Sequence, residues 1–171
     1  MNIIVYPHPA LRQKAKPLAN INKEVYSRVD KMMELMHQAN GIGLAAPQVG
    51  WSVRLFIVDV NNDRNTEKVF INPEIIEESG EVVKEEGCLS FPGLMSKVTR
   101  PQRIKAIAYN LKGQKIKIEA EGLAARVWHH ELDHLNGCLF IDRLSPANRS
   151  AISSQLREFE TSYSESRNIR V

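Results

Sequence analysis

The segment His130-Glu131-Leu132-Asp133-His134 constrains this chain more than any other. Two histidines four residues apart share one face of an α-helix, one turn apart, so both imidazoles can reach a single ion. Glu131 is rotated from them by about 100°, which sets its carboxylate beside that ion and within reach of a bound water. A divalent ion lowers the pKa of such a water toward about 7 and makes hydroxide available at neutral pH. The fold must therefore hold this helix with its histidine face turned inward. Residues 122–136 suit that demand, because Leu123, Val127, His130 and His134 recur on one face and Gly137 supplies a stop. His129 lies one residue off that face and begins no such pattern.

Two histidines do not complete a catalytic site, which usually takes three protein ligands and keeps one position open. His8, His37, Cys88, Cys138 and several carboxylates are available. Cys138 follows the helix stop and opens the apolar run Cys138-Leu139-Phe140-Ile141, so it reads as a small buried thiol. His37 sits on an earlier helix and reads as a surface or boundary histidine. Cys88 lies beside Gly87, which permits close backbone approach. Spacing alone leaves the third ligand open.

The remaining pattern places this helix in an α+β chain. Pro7, Pro9 and Pro17 make residues 1–20 an extended, wrapping segment. Asn22 can cap a helix whose apolar face is Val25, Val29, Met32, Met33 and Met36, ended by Asn40-Gly41. Residues 41–50 are interrupted by three glycines and a proline. Val53–Val60 and Val69–Asn72 read as strands, and residues 104–109 and 114–119 read as a hairpin around Lys112-Gly113. Ser145-Pro146 opens a last helix, with Ile152, Leu156, Phe159 and Tyr163 as its stripe. We therefore expect antiparallel sheets packed around a central HExxH-bearing helix, with an N-terminal and a C-terminal helix. Residues 1–171 should form one catalytic domain, with the C-terminal helix over 146–163 and a flexible tail over 164–171.

Composition narrows the function classes. At 171 residues and 43% hydrophobic content, the chain can bury a core without disulfides, and its two cysteines fit a reducing cytoplasm. Residues 1–20 lack a secretory pattern, and no apolar run approaches the roughly 20 residues of a membrane span. A net charge of +3 gives no footprint for sequence-specific nucleic acid binding.

Three segments in order, GIGLAAPQ at 41–48, EGCLS at 86–90 and HELDH at 130–134, resemble peptide deformylase. That family removes the formyl group from the initiator methionine of new polypeptides. The resemblance implies Cys88, His130 and His134 as metal ligands and Glu131 as general acid and base. It implies an oxyanion hole made by the Gln48 side chain and the Leu89 backbone N–H. Backbone at Ile42, Gly43 and Gly87 would hold the extended nascent formyl-methionyl peptide as an added strand. The implied cofactor is one divalent ion, natively Fe2+, with Zn2+, Ni2+ or Co2+ able to substitute. The implied C-terminal helix is of the bacterial type, which can dock on the ribosome, and Arg149, Arg157, Arg167 and Arg170 make this end basic. An arginine often stands in the family's loop after the cysteine motif. Here Met95 takes that place, which leaves preferences beyond the first methionine open. Glu86 and Arg100 either support the cysteine loop as an ion pair or form a solvated surface pair.

Two other readings compete. A small metallopeptidase would use the same HExxH chemistry, cleave unformylated peptides and be indifferent to Cys88. A closed structural metal site would need a fourth protein ligand, for which Cys138 is the candidate.

Overall fold

The computed structural model describes residues 1–61, 64 and 68–168. Helix α1 spans Lys23–Gln38, and the Asn22 side chain accepts from the Val25 amide at its start, as expected. Asn40, with φ 54°, makes the left-handed step that ends it. Strands β1 (Gly43–Ala45) and β2 (Leu55–Val58) follow, separated by a 3-10 turn over Ala46–Val49. Strand β3 is longer than its apolar signal, running over Lys68–Ser79. Strands β4 (Val82–Cys88), β5 (Phe91–Arg100), β6 (Arg103–Tyr109) and β7 (Lys115–Glu121) complete the sheets, and helix α2 occupies Gly122–Leu135.

The main sheet is antiparallel in the order β1-β2-β3-β6-β7, and β4 pairs with β5 in a separate ribbon. All four residues of β2 are buried, because each sheet face is covered there. Leu55 and Ile57 pack with Val29, Met32 and Met36 of α1. Phe56 and Val58 pack with Val127 and Trp128 of α2. The rings of Phe56 and Phe70 lie 4.9 and 4.6 Å from that of Trp128, which seats α2 on the sheet. The HExxH helix is thus central, in the expected α+β class.

The β4–β5 ribbon was not legible in the pattern. Glu86 is the one fully buried residue of β4, so no apolar alternation marks the strand, and Pro92-Gly93 interrupt β5. The C-terminal helix is divided. Helix α3 covers Pro146–Ala151, and after a break at the buried Ile152 helix α4 runs over Ser153–Asn168. The tail expected from 164 is therefore helical as far as Asn168, and residues 169–171 lie outside the described residues. Ile152 and Leu156 enter a third core with Phe91, Leu94 and Phe140. No helix among the described residues is long and apolar enough to cross a membrane.

Candidate metal and catalytic centre

Cys88 is the last residue of β4, at a two-residue turn through Leu89-Ser90 into β5. The ribbon lands this turn against the histidine face of α2. Cys88 Sγ lies 3.2 Å from His134 Nε2, which lies 3.2 Å from His130 Nε2. A tetrahedral zinc with bonds of about 2.0–2.1 Å to nitrogen and 2.3 Å to sulfur needs ligand atoms roughly 3.3–3.6 Å apart. The three side chains fit such an ion, and they are the one ligating cluster found among the described residues. Cys138 is free, half-buried and outside it, so the closed structural site loses its fourth ligand. His8 and His37 are also outside the cluster.

His37 corrects its reading as a surface or boundary residue. Its side chain is buried, and Nε2 lies 3.5 Å from Asp59 Oδ2. The Asp59 amide donates to Ile42 O, so this pair braces the entry to β1. Leu123 departs in the other direction. It is 51% exposed at the mouth of the cleft rather than buried with Val127.

Behind the ligands lies a buried charge network. His130 Nδ1 donates to Glu86 Oε1 at 2.6 Å, which leaves Nε2 with its lone pair toward the ion position. Glu86 also accepts from Arg100 at 2.6 and 3.2 Å and from Arg126 at 2.9 Å. Arg100 reaches Asp133 at 2.6 Å, and Asp133 accepts further from Arg143. Burial pushes the Glu86 carboxyl up, but bonds from His130 and Arg100 outweigh it and hold the group well below the carboxylate range. Glu86 and Arg100 are therefore a buried pair, not a solvated one. Arg126 and Asp133 carried no sequence signal beyond being charges on a helix otherwise apolar inward.

Burial lowers the His134 pKa well below its usual value. It also acts downward on His130, but the negative charge of Cys88 and the bond to Glu86 reverse this and raise His130. Folding thus favours a proton on His130, so metal binding competes with protonation here.

Glu131 is 3% exposed, and burial raises its pKa to about 7. Its Oε2 is buried with no hydrogen-bond partner among the described residues. Gly43 makes room for it, since a Cβ there would stand 2.4 Å from Glu131 Oε1. Gln48 is 1% exposed and fixed at both ends of its amide. Oε1 accepts from the Ala45 amide at 2.9 Å, while Nε2 donates to Ser90 Oγ at 3.1 Å and approaches Cys88 Sγ at 3.5 Å.

A cleft of about 790 Å³ joins these groups, and Ile42, Gly43, Gln48, Gly87, Leu89 and Glu131 all line it. His134 lies deeper, 1% exposed. Strand β1 is the edge of its sheet. Ile42 O is already bound to Asp59 N on the β2 side, so strand alternation turns the Gly43 N–H and C=O outward toward the cleft. Met95 lines the same cleft and lies across Gly87.

The family model for polypeptide deformylase matches residues 1–150. A peptide deformylase of Chromobacterium violaceum is 45% identical over 160 residues, which cover 94% of this chain and 96% of that protein. One from Halothermothrix orenii is 49% identical over 136 residues, covering 80% and 88%. Among solved structures, peptide deformylase 1B of Arabidopsis thaliana with a bound inhibitor superposes with a TM-score of 0.94 at 38% identity. It covers 97% of this chain and 93% of its own.

Proposed function

Because the chain belongs to the polypeptide deformylase family, we propose that it hydrolyses the N-formyl group of formyl-methionine on nascent polypeptides and releases formate. One observation carries this reading: the Cys88–His130–His134 cluster opens, through Cys88 and His130, into a cleft shared with Glu131, which has a buried, unpartnered carboxylate oxygen, and with the fixed Gln48 amide. A divalent ion bound by Cys88, His130 and His134 would supply Lewis acidity and an activated water near neutral pH. We assign ferrous iron as the native ion, with zinc, nickel or cobalt as substitutes.

The chain's own groups divide the work. The outward edge of Gly43 pairs with the extended substrate, and Gly87 backs it from the other side of the cleft. Glu131 takes the proton of the attacking water and delivers it to the methionine nitrogen as the formyl C–N bond breaks. As the carbonyl carbon becomes tetrahedral, its oxygen gains negative charge. Gln48 Nε2 and the Leu89 N–H are the donors that meet it. The weak 3.5 Å contact of Nε2 with Cys88 Sγ is the one exchanged for that oxygen. The C-terminal helix is assigned to docking on the ribosome, although Arg149 is partly committed internally, donating to Ile141 O at 2.8 Å.

The test is formate release from a formyl-Met peptide, with and without chelator, against the same peptide lacking the formyl group. Chelator-sensitive formate release supports the reading. Peptide-bond cleavage of the unformylated control, with no effect of Cys88→Ser, would transfer the assignment to a metallopeptidase.

A further inference from the structure

The two donors assigned to the oxyanion come from segments far apart in the chain, one in the turn after β1 and one in the β4–β5 turn. A single short segment ties them together. Ile4 N donates to Gln48 O at 2.7 Å, and two residues on Tyr6 N donates to Ser90 O at 3.0 Å. The segment is extended, and its alternate residues divide. Ile3 and Val5 line the cleft, while Ile4 and Tyr6 pack into the core beneath the ribbon. Tyr6 is anchored on its far side. Its ring stacks on Phe91 with centroids 4.9 Å apart, and its hydroxyl donates to Glu160 on α4 at 2.6 Å.

We propose that Tyr6 is a positioning residue for the reaction: anchored by Glu160, it clamps residues 3–6 onto the backbones of Gln48 and Ser90 and so fixes the spacing of the two oxyanion donors. The inference rests on the deformylase reading of the site. Neither residue touches the reacting atoms. Their effect reaches the chemistry through two backbone bonds, each one residue or less from a donor. Gln48 Nε2 to Ser90 Oγ, at 3.1 Å, is a third tie between the same two turns and shows how closely they are gauged to each other. Donors that act on charge absent from the ground state influence kcat rather than substrate affinity. Loosening the clamp should therefore lower kcat and spare KM.

The experiment uses the full metal-loaded chain and formate release from a formyl-Met peptide. Tyr6→Phe removes the hydroxyl and keeps the ring on Phe91. Glu160→Ala removes the acceptor, and Glu160→Gln retains an acceptor oxygen. Tyr6→Phe and Glu160→Ala should each lower kcat by about 3- to 10-fold, as expected for one interaction felt at second hand, with KM within about twofold. The double variant should be no worse than either single one, and Glu160→Gln should recover most of the rate. Amide exchange at Ile4 and Tyr6, measured separately, should quicken in the two impaired variants. Unchanged kcat with quickened exchange overturns the proposal. So does a rise in KM alone, which would make the segment only a wall of the cleft. A fall in kcat that merely tracks lost metal or lost folded protein overturns it as well. If the parent releases no formate, the reading of the site has failed, and this outcome is distinct from parental activity with indifferent variants.

Discussion

Replacing Glu131 with glutamine separates what this carboxylate does to the fold from what it does in the reaction. Burial raises its pKa from 4.5 to about 7, and the opposing pull of His130 does not cancel that rise. At about 1.4 kcal/mol per pH unit, the ionised form is then about 3 kcal/mol less favourable in the folded metal-free protein than in the unfolded chain. A carboxyl whose pKa is raised by folding leaves stability intact below its unfolded value of 4.5. That stability is lost as pH rises through about 7. Glutamine mimics the neutral acid at every pH. Metal-free Glu131→Gln should therefore lie close to the parent near pH 5 and exceed it by about 3 kcal/mol near pH 8. Urea unfolding of chelator-treated protein, followed by tryptophan fluorescence, reads this directly, provided the m-values agree. The same variant, loaded with metal, should lose about 10²–10⁴-fold in formate release, because the amide cannot accept a proton. A stability difference equal at both pH values would refute the burial argument. Near-normal turnover of the metal-loaded variant would refute the proton-transfer role.

Gln48→Leu should lower the rate by about 10²–10³-fold with metal content intact, and loss of metal instead would make Gln48 a structural residue. Glu86→Gln keeps one acceptor oxygen but removes the negative charge that orients His130, and it leaves Arg100 and Arg126 short of a buried counter-charge. Metal affinity should fall by about 10–100-fold in a chelator competition, and unchanged affinity would show the network to be purely structural. One apoprotein preparation reloaded with each ion should be fastest with iron under anaerobic conditions, while the zinc form is slower and durable in air. Exposure of the iron form to air should add oxygen at Cys88 by mass spectrometry, and equal rates for the two ions would overturn the assignment of iron. Removing residues 164–171 should weaken ribosome co-sedimentation and its salt dependence, whereas unchanged, salt-insensitive binding would count against electrostatic docking.

The HExxH motif was readable without any fold because its geometry is local. Four residues of helix place His130 beside His134 whatever surrounds them. The same holds for the Asn22 cap, the buried run that became β2 and the hairpin at Lys112-Gly113, each made by neighbours within a turn or two. Cys88 was different. Spacing left it one candidate among several, and its motif, not its position, named it before the structure did. Only the β4–β5 ribbon brings its sulfur to the histidines, across more than forty residues of chain, and the ribbon's first strand lacks apolar alternation because Glu86 alone is fully buried in it. Arg126 and Asp133 read in the sequence as ordinary charges, and Glu86 with Arg100 as a pair that either supports the cysteine loop or stays solvated. The packing of the ribbon on α2 removes them from water together, and a charge withdrawn from water must be matched by partners that the sequence does not place beside it. Local periodicity therefore determined the helix that pairs His130 with His134. Long-range packing decided which residue joins the two histidines, the carboxylate behind His130 and the spacing of the groups around the cleft, because each depends on where separate segments meet rather than on what any segment is.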